Sequence, residues 1–563
     1  MAATNRLLTL LTEAQVRAFT EAGYWRDQTV YALTREHAGR DGRRVAIREQ
    51  LRSTTYGELV DAADRLAFAL DRHGLRPGDR VATWLPSRIE TAVTLLACSR
   101  GGYVVCPSLH RDHTVAEVAG LVSRMRAAGL VVQAGYGADA DRHDVLGAVA
   151  GMEHLRFVRR LEPPAPGGLL PDLLPELPPD LPPATTVPLV EDPNTVVYLA
   201  FTSGTTGQPK GVMHSDNTLL SPARALATDW SLDAASCLYS LSPLSHNLGF
   251  GALITALAAG AELVVHDLPR GASLANRLRE TGATFAFGVP THAIDLLAEL
   301  RTEGAASLPD LRGFRISGAP VPPVVAQGLL DVGVVPQSGY GMTEAGSHHY
   351  TLRGDDRAMI VGSSGRPCRG YEVRIFAADD PDQELPAGEV GQIGGRGASL
   401  MLGYFDDQAA TESSFNRAGW FLTGDLGWMD EAGYLRITGR KKDVIIRGGH
   451  NIFPVKIENL ALRHRDVAKA AAVPVTDERL GEKVCLVVQA RSDERLDPQD
   501  VLSHLDRAGL SRYDMPEYFV QVESLPLLPS GKIPKRRLVE WIDEGRLVPR
   551  PVRFTPSSVP PRG

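Results

Sequence analysis

The sequence predicts an α/β fold: a large N-terminal unit of two packed α/β subdomains plus a small β-barrel, followed by a small mobile α+β unit. Three observations predict it. Short apolar runs of strand length alternate with segments whose apolar residues recur at helical spacing, first from Thr55 to Gln133 and again from Cys237 to Gln337. From about Val361 the pattern changes to short strands bounded by glycine, as in an antiparallel sheet or barrel. At 563 residues the chain exceeds the roughly 250 to 300 at which single cores stop growing, so two or three units are expected.

The N-terminus, MAATNRLLTLLTEAQVRAF, reads as an amphipathic helix and lacks the basic start, long apolar centre and small-residue cleavage site of a signal peptide. From Thr55 a helix runs to Leu70, a Gly/Pro turn spans Gly74 to Gly78, and a strand follows at Arg80 to Leu85. A helix (Ile89 to Ser99), a strand (Tyr103 to Cys106), a helix after His113 and a strand (Leu130 to Gln133) complete the first half. Prolines crowd the chain between Leu161 and Asp192; they cannot donate ladder hydrogen bonds and favour an extended surface connection. A buried strand, Thr195 to Ala200, then leads into a loop, and helical character begins near Ser215. In the second half, Cys237 to Leu241, Glu262 to Val265, Thr284 to Phe287, Phe314 to Ile316 and Val334 to Gln337 read as strands separated by helices.

The glycine-bounded strands are YEVRIF, GEVGQIGGRG and GYLRITGR. Beyond Lys442 the expected order is strand Val444 to Arg447, helix Val455 to Arg463, strands Ala470 to Val475 and Val484 to Ala490, and a helix from Pro498. The tail from Val548, rich in Pro, Ser and Arg, is expected to be disordered. The predicted units are therefore residues 1–441, 442–547 and a tail at 548–563.

Composition excludes several functions. Lys and Arg total 60 against 67 Asp and Glu, a net charge of -7, so no basic field holds nucleic acid by counterion release. The five cysteines stand singly, with no CxxC and no histidine cluster at zinc spacing, which fits a reducing cytoplasm. No run approaches the roughly 20 apolar residues that span a bilayer.

The loop TSGTTGQPKG, Thr202 to Gly211, carries the first chemical signal. Gly204 and Gly207 allow close backbone approach, Thr202, Ser203, Thr205 and Thr206 offer hydroxyls, and Lys210 offers a mobile charge, a set suited to gripping polyphosphate. Its spacing is not the GxxxxGK[ST] of P-loop NTPases, because Gly204 and Gly207 lie too close and Lys210 precedes Gly211. A different nucleotide enzyme is implied.

Six more motifs follow in order: PLSHNLGFG (Pro243 to Gly251), SGAP (Ser317 to Pro320), GYGMTE (Gly339 to Glu344), TGD (Thr423 to Asp425), GRKKDVIIRGG (Gly439 to Gly449) and PLLPSGKIPKRRL (Pro526 to Leu538). Together they resemble the adenylate-forming (ANL) superfamily of acyl-CoA synthetases, nonribosomal peptide adenylation domains and firefly luciferase, over about Tyr56 to Leu538. The chain looks most like the acyl-CoA synthetases, in particular the cyclohexanecarboxylate and aryl-type CoA ligases. The resemblance implies ATP, Mg²⁺ and CoA as cofactors. It implies acyl-AMP formation followed by thiol attack.

By that resemblance Lys532 contacts the reacting carboxylate and α-phosphate oxygens, Glu344 is linked to magnesium, and Thr343 touches the α-phosphate. Tyr340 stacks on adenine with Gly318, Ala319 and Pro320 as the opposite wall, Asp425 binds the ribose hydroxyls, and Arg440 sits near ribose or phosphate. Lys442 is the hinge position of the small unit, and Gly448 and Gly449 form the surface met by the pantetheine arm. His246 lines the acyl pocket and gates the thiol channel. Asn247, Leu248 and Gly249, with Phe287 to Thr291 and Gly341 to Met342, lie on the acyl side.

One departure is Lys456, where relatives carry an acid, which puts a local salt bridge or cap in doubt. The pocket segments show apolar and small residues and no second anion partner, so the expected substrate is a small monocarboxylic acid. Two rival readings stand beside the CoA ligase: an enzyme loading a phosphopantetheinyl carrier protein, and a catalytically silent nucleotide-binding relative. The expected protein is without a transmembrane segment, and a homodimer is compatible with the resemblance.

Overall fold

The computed structural model describes residues 10–165, 189–202, 209–269, 271–304, 307–492, 494–528 and 531–554. Two sheets form its body. The first has seven strands, in the order Gly403–Tyr404, Lys210–Ser215, Val196–Thr202, Val104–Cys106, Arg80–Trp84, Gly129–Gln133, Phe157–Leu161. The second has nine: Arg366–Pro367, Gly346–Tyr350, Val335–Met342, Gly313–Ile316, Phe285–Gly288, Cys237–Ser240, Glu262–Val265, Val45–Arg48, Ser53–Thr55. The inner strands of both are parallel. Parallel strands are covered on both faces, which is why they read as continuous apolar runs.

The helices between the sheets explain the rest of the patterning. Tyr56–Arg72 starts at a capping box made by Thr55 and Glu58 and buries Leu59, Leu66 and Leu70. Ile89–Gly101 is buried along its whole length, and Asn247–Ala259 is apolar on nearly every face. Helices apolar all round belong inside a layered core. Their side chains share one cluster with Val105 and Tyr198 of the first sheet and Leu238 and Phe285 of the second.

Three features differ from the expectation. Lys210–Ser215 is a strand antiparallel to Val196–Thr202, so the loop between them closes a hairpin, and the helix Asp216–Asp229 begins only beyond it. That strand is almost wholly buried and shows no alternation to betray it. The glycine-bounded strands Tyr371–Phe376, Gly391–Gly397, Phe421–Met429 and Leu435–Arg440 pair in that order as an open antiparallel sheet, with no closing pair among the described residues, where a barrel was expected. Four strands are too few to close around a packed interior.

The third difference lies in the tail. Arg550–Pro551 adds to the edge strand Tyr518–Val522, Val552 donates to the Glu517 carbonyl at 2.8 Å, and Val552 and Phe554 pack on the lid core. The disorder expected from Val548 is therefore corrected as far as residue 554. A proline is tolerated there because an edge strand needs no second donor. The end of the tail, the first nine residues and most of the proline-rich connection lie outside the described residues.

The last sheet uses only residues from Ile445 onward, built on the long antiparallel pair Val467–Asp477 and Gly481–Ala490 with helices Pro454–Ala461, Pro498–Arg507 and Lys535–Asp543. Among the described residues no helix is long and apolar enough to cross a membrane, and all five cysteines are free and buried.

Candidate active site

The site gathers where this lid meets the body. Gly531 has φ +75° and its Cα faces the body so closely that an added Cβ would overlap Val289 Cγ2 and lie 3.0 Å from Thr291 Oγ1. Next to it, the Lys532 side chain runs along Gly318, with Cε 3.5 Å from where a Gly318 Cβ would stand. Two glycines thus let one lysine enter the body. Its loop is braced from behind: Leu538 of the following helix is fully buried, and Lys535 pairs with Glu458 at 2.7 Å.

Burial and the Arg440 guanidinium hold the Lys532 ammonium below its usual range, while Asp425 and Glu344 oppose them. Those four residues, from four separate motifs, therefore share one electrostatic environment. Arg440 Nε lies 3.0 Å from Asp425 Oδ1, and the Tyr340 hydroxyl donates to Asp425 Oδ2 at 2.8 Å. Both carboxylate oxygens of Asp425 are thereby fixed in direction. Tyr340 is buried, with its ring 5.1 Å from that of His348 in an edge contact.

Glu344 is held by a second set of partners. The Tyr404 hydroxyl donates to its Oε1 at 3.0 Å, and Lys210 Nζ stands 4.7 Å over the Tyr404 ring. Burial pushes the Glu344 carboxyl up, against the pull of Tyr404, Arg440 and Lys210. A buried carboxyl whose ionised form is disfavoured gains from a cation, so a magnesium ion fits this donor set, with Glu344 holding it alongside substrate phosphates. The Glu344 carbonyl accepts from Met401 N at 2.7 Å, and the Thr343 carbonyl lies 2.7 Å from His214 Nε2. These two bonds clamp the loop that carries both residues.

The sequence-predicted residues divide as follows. Lys532, Glu344, Thr343, Tyr340, Asp425, Arg440, Gly318 and Lys210 converge, and Ala319 and Pro320 continue the turn begun at Gly318. Gly341 is a glycine for packing, since a Cβ there would overlap the Gly346 carbonyl, and Met342 packs on the main core. Thr202 ends its strand paired with Lys210. Ser203, Gly204, Thr205, Thr206 and Gly207 lie outside the described residues.

Lys442 is exposed in a single turn of 3₁₀ helix between body and lid. Gly448 and Gly449, with φ +57° and +85°, form the two-residue turn of the hairpin Ile445–Arg447 and His450–Ile452. A type I′ turn demands positive φ at both positions, so this pair has a structural reason independent of any ligand. Lys456, the departure noted above, pairs with Asp514 at 2.9 Å, so a salt bridge exists there with other partners.

Beside Lys532 lies His246, whose Nε2 is buried without a hydrogen-bond partner. Burial, then Lys532 and His113, hold its imidazole at about 4, so it is neutral near pH 7. Asn247 and Leu248 continue from it into a cavity of about 40 Å³, closed by Leu219, Ala223, Ile254 and Phe287. Gly249 does not line it; its Cα abuts the Ser242 and Pro243 carbonyls. Tyr404, His214 and His110 are members of the site that sequence did not assign. Nothing local to GYF or LHRDH announces a partner so distant in sequence.

Residues 34–405 match the family model described as AMP-binding enzyme, and residues 456–532 match that of the AMP-binding enzyme C-terminal domain. The chain belongs to the AMP-binding enzyme family. Medium-chain fatty-acid–CoA ligase of Escherichia coli (strain K12) is 31% identical to this enzyme, with 94% of each chain covered. The 3-[(3aS,4S,7aS)-7a-methyl-1,5-dioxo-octahydro-1H-inden-4-yl]propanoyl:CoA ligase of Mycobacterium tuberculosis (strain ATCC 25618 / H37Rv) is 33% identical, covering 87% of this chain and 94% of that one.

Among solved structures, ATP-bound MatB from Rhodopseudomonas palustris superposes with a TM-score of 0.80 at 28% identity, covering 92% of this chain and 99% of that one. Its apo form gives 0.71 over the same coverage. The enzyme is an AMP-forming acid–CoA ligase, and its family uses ATP, Mg²⁺ and CoA.

Proposed function

We propose that this enzyme activates a monocarboxylic acid of modest size with an apolar body, whether alicyclic, aromatic or medium-chain aliphatic. One observation carries the reading: the cavity that opens at Asn247, one residue past His246, is lined by apolar and small residues, with polar Thr218, Asn247, Thr255, Ser347 and a neutral His214 but, among the described residues, no Lys or Arg to take a second carboxylate. An anion placed there without a partner would be strongly disfavoured. Both relatives are named for joining an acid to CoA, one a medium-chain fatty acid and one an indenyl-substituted propanoate.

In this reading Lys532, buried among Arg440, Asp425 and Glu344, meets the carboxylate and α-phosphate oxygens and screens their repulsion as the mixed anhydride forms. Asp425, oriented by Arg440 and Tyr340, takes the ribose hydroxyls, with the Tyr340 ring and the Gly318 to Pro320 turn flanking the base. Thr343 contacts the α-phosphate, and Lys210 supplies positive charge to the outer phosphates. Magnesium held by Glu344 neutralises phosphate charge when bound.

The unit beyond Lys442, with Arg550 to Phe554 attached to it, then turns about Lys442, withdrawing Lys532 and bringing the Gly448–Gly449 turn to the pantetheine arm. The thiol loses its proton, its sulfur bonds to the acyl carbon, and the bond from that carbon to the phosphate oxygen breaks. AMP departs with the electron pair. No enzyme nucleophile is required, since positioning and charge supply the rate.

The test is pyrophosphate release across a panel of cyclohexane, benzoic, medium-chain and dicarboxylic acids, with CoA present and no carrier protein. Monocarboxylic acids with apolar bodies are expected to lead and to appear as acyl-CoA. A dicarboxylic acid as the best substrate overturns the assignment.

A further inference from the structure

The imidazole of His110 lies flat against that of His246, with ring centroids 4.0 Å apart and planes 6° from parallel. The two residues come from different halves of the body. His110 follows the first-sheet strand Val104–Cys106, whereas His246 caps the helix Asn247–Ala259 beyond the second-sheet strand Cys237–Ser240. A second contact crosses the same boundary, His110 Nδ1 to Ser245 Oγ at 3.2 Å.

His110 is itself firmly held. Its carbonyl accepts from Trp84 Nε1 at 2.9 Å, and its backbone N–H donates to His113 Nδ1 at 3.2 Å. Two residues earlier, Ser108 Oγ accepts from the Phe201 N–H at 2.7 Å, at the foot of the phosphate hairpin. The His246 backbone is held as well, its N–H donating to the Pro243 carbonyl at 2.9 Å and its carbonyl accepting from Phe250 N at 2.8 Å, but its side chain makes no capping bond and its Nε2 has no partner among the described residues. The His110 ring is tied to Ser245; the His246 ring lies against it.

Two uncharged imidazoles stack without repulsion. Burial, then His246 and His113, drive the His110 imidazole far down, and His246 is likewise neutral, so both rings are uncharged here. A buried polar atom left unpartnered beside a lysine aimed at an anion marks where a ligand supplies the missing bond. On the reading of the acyl site given above, the group that meets it is the carboxyl of the acid.

We propose that His110 is a positioning residue for acid recognition: by stacking on His246 and bonding Ser245 it fixes the plane of the His246 ring, and with it the direction in which the unpartnered Nε2 meets the substrate carboxyl group. The inference rests on the reading of His246 as part of the acyl site. It makes a segment of the first subdomain a determinant of acid affinity, although that segment lines none of the acyl cavity described above.

The test compares full-length His110→Ala, His110→Phe and His246→Ala in acid-dependent ATP–pyrophosphate exchange. His110→Ala is expected to raise the KM for the acid by about tenfold, the size of one misdirected hydrogen bond. The KM for ATP and the melting temperature should stay near those of the parent. His110→Phe, which restores a flat ring but no hydrogen bond, is expected to recover most of the acid KM. An unchanged acid KM in a folded His110→Ala enzyme overturns the proposal, as does an equal rise in the KM values for acid and ATP that Phe fails to rescue. If His246→Ala itself leaves the acid KM unchanged, the reading of His246 fails first; if only the His110 variants are silent, that reading stands and this proposal falls.

Discussion

The Nε2 nitrogen of His214 lies 2.7 Å from the carbonyl oxygen of Thr343, and its Nδ1 lies 3.0 Å from Thr218 Oγ1. A carbonyl only accepts, so Nε2 carries the proton and the neutral ring bridges the strand Lys210–Ser215 to the loop bearing Thr343 and Glu344. Full burial holds this imidazole at about 4. Its folded value lies below the unfolded one, so its contribution to stability is complete above about pH 6.5 and is lost as pH falls towards 4. Between pH 7 and 5 the loss from this one group is on the order of 2 kcal/mol. Urea midpoints of the parent and His214→Gln at both pH values check this: the parent should lose that much more than the variant, which cannot titrate at this position.

Gly531→Ala places a methyl group against Val289 and Thr291 at a backbone φ of +75°. Left-handed strain of about 1 to 2 kcal/mol adds to that overlap, and both act against docking of the Lys532 loop. Adenylation is expected to fall by about tenfold or more, while thioester formation from supplied acyl-AMP stays within about threefold. Separate assays of the half-reactions decide it, and equal losses would falsify the docking role.

Lys532→Ala removes the charge that enters the body beside Gly318. Loss of one preorganised charge or donor at a reacting oxygen costs about a hundredfold or more, and that loss is expected in adenylation alone. Conversion of preformed acyl-AMP to acyl-CoA should continue. A collapse of both steps in a folded variant would reassign the lysine.

Tyr340→Phe leaves Asp425 Oδ2 without its donor at 2.8 Å while keeping the ring. A typical hydrogen bond contributes about 0.5 to 1.5 kcal/mol, so the KM for ATP is expected to rise roughly three- to tenfold with kcat little changed. Pyrophosphate exchange at varied ATP measures it, and an unchanged KM shows that Arg440 orients Asp425 unaided.

Lys442→Pro fixes one backbone torsion in the short turn Lys441–Asp443 that joins lid to body. Thioester formation is expected to suffer more than adenylation. Unchanged rates for both half-reactions would move the hinge elsewhere.

Sequence by itself determined the α/β alternation and pointed to the candidate site residues. Buried parallel strands and fully buried helices impose local apolar patterns, as at Glu262–Val265 and Ile89–Gly101, and the motif residues stand in fixed order along the chain. Tertiary structure alone decided which of them meet. Lys532 reaches Gly318, Tyr404 reaches Glu344, and His110 reaches His246 across separations that carry no periodic signal. It also decided that the glycine-bounded strands form an open sheet and that Phe554 ties the tail to the lid. The physical reason is the same in each case: a local pattern records what a residue must bury, whereas its partner is set by how separate layers stack.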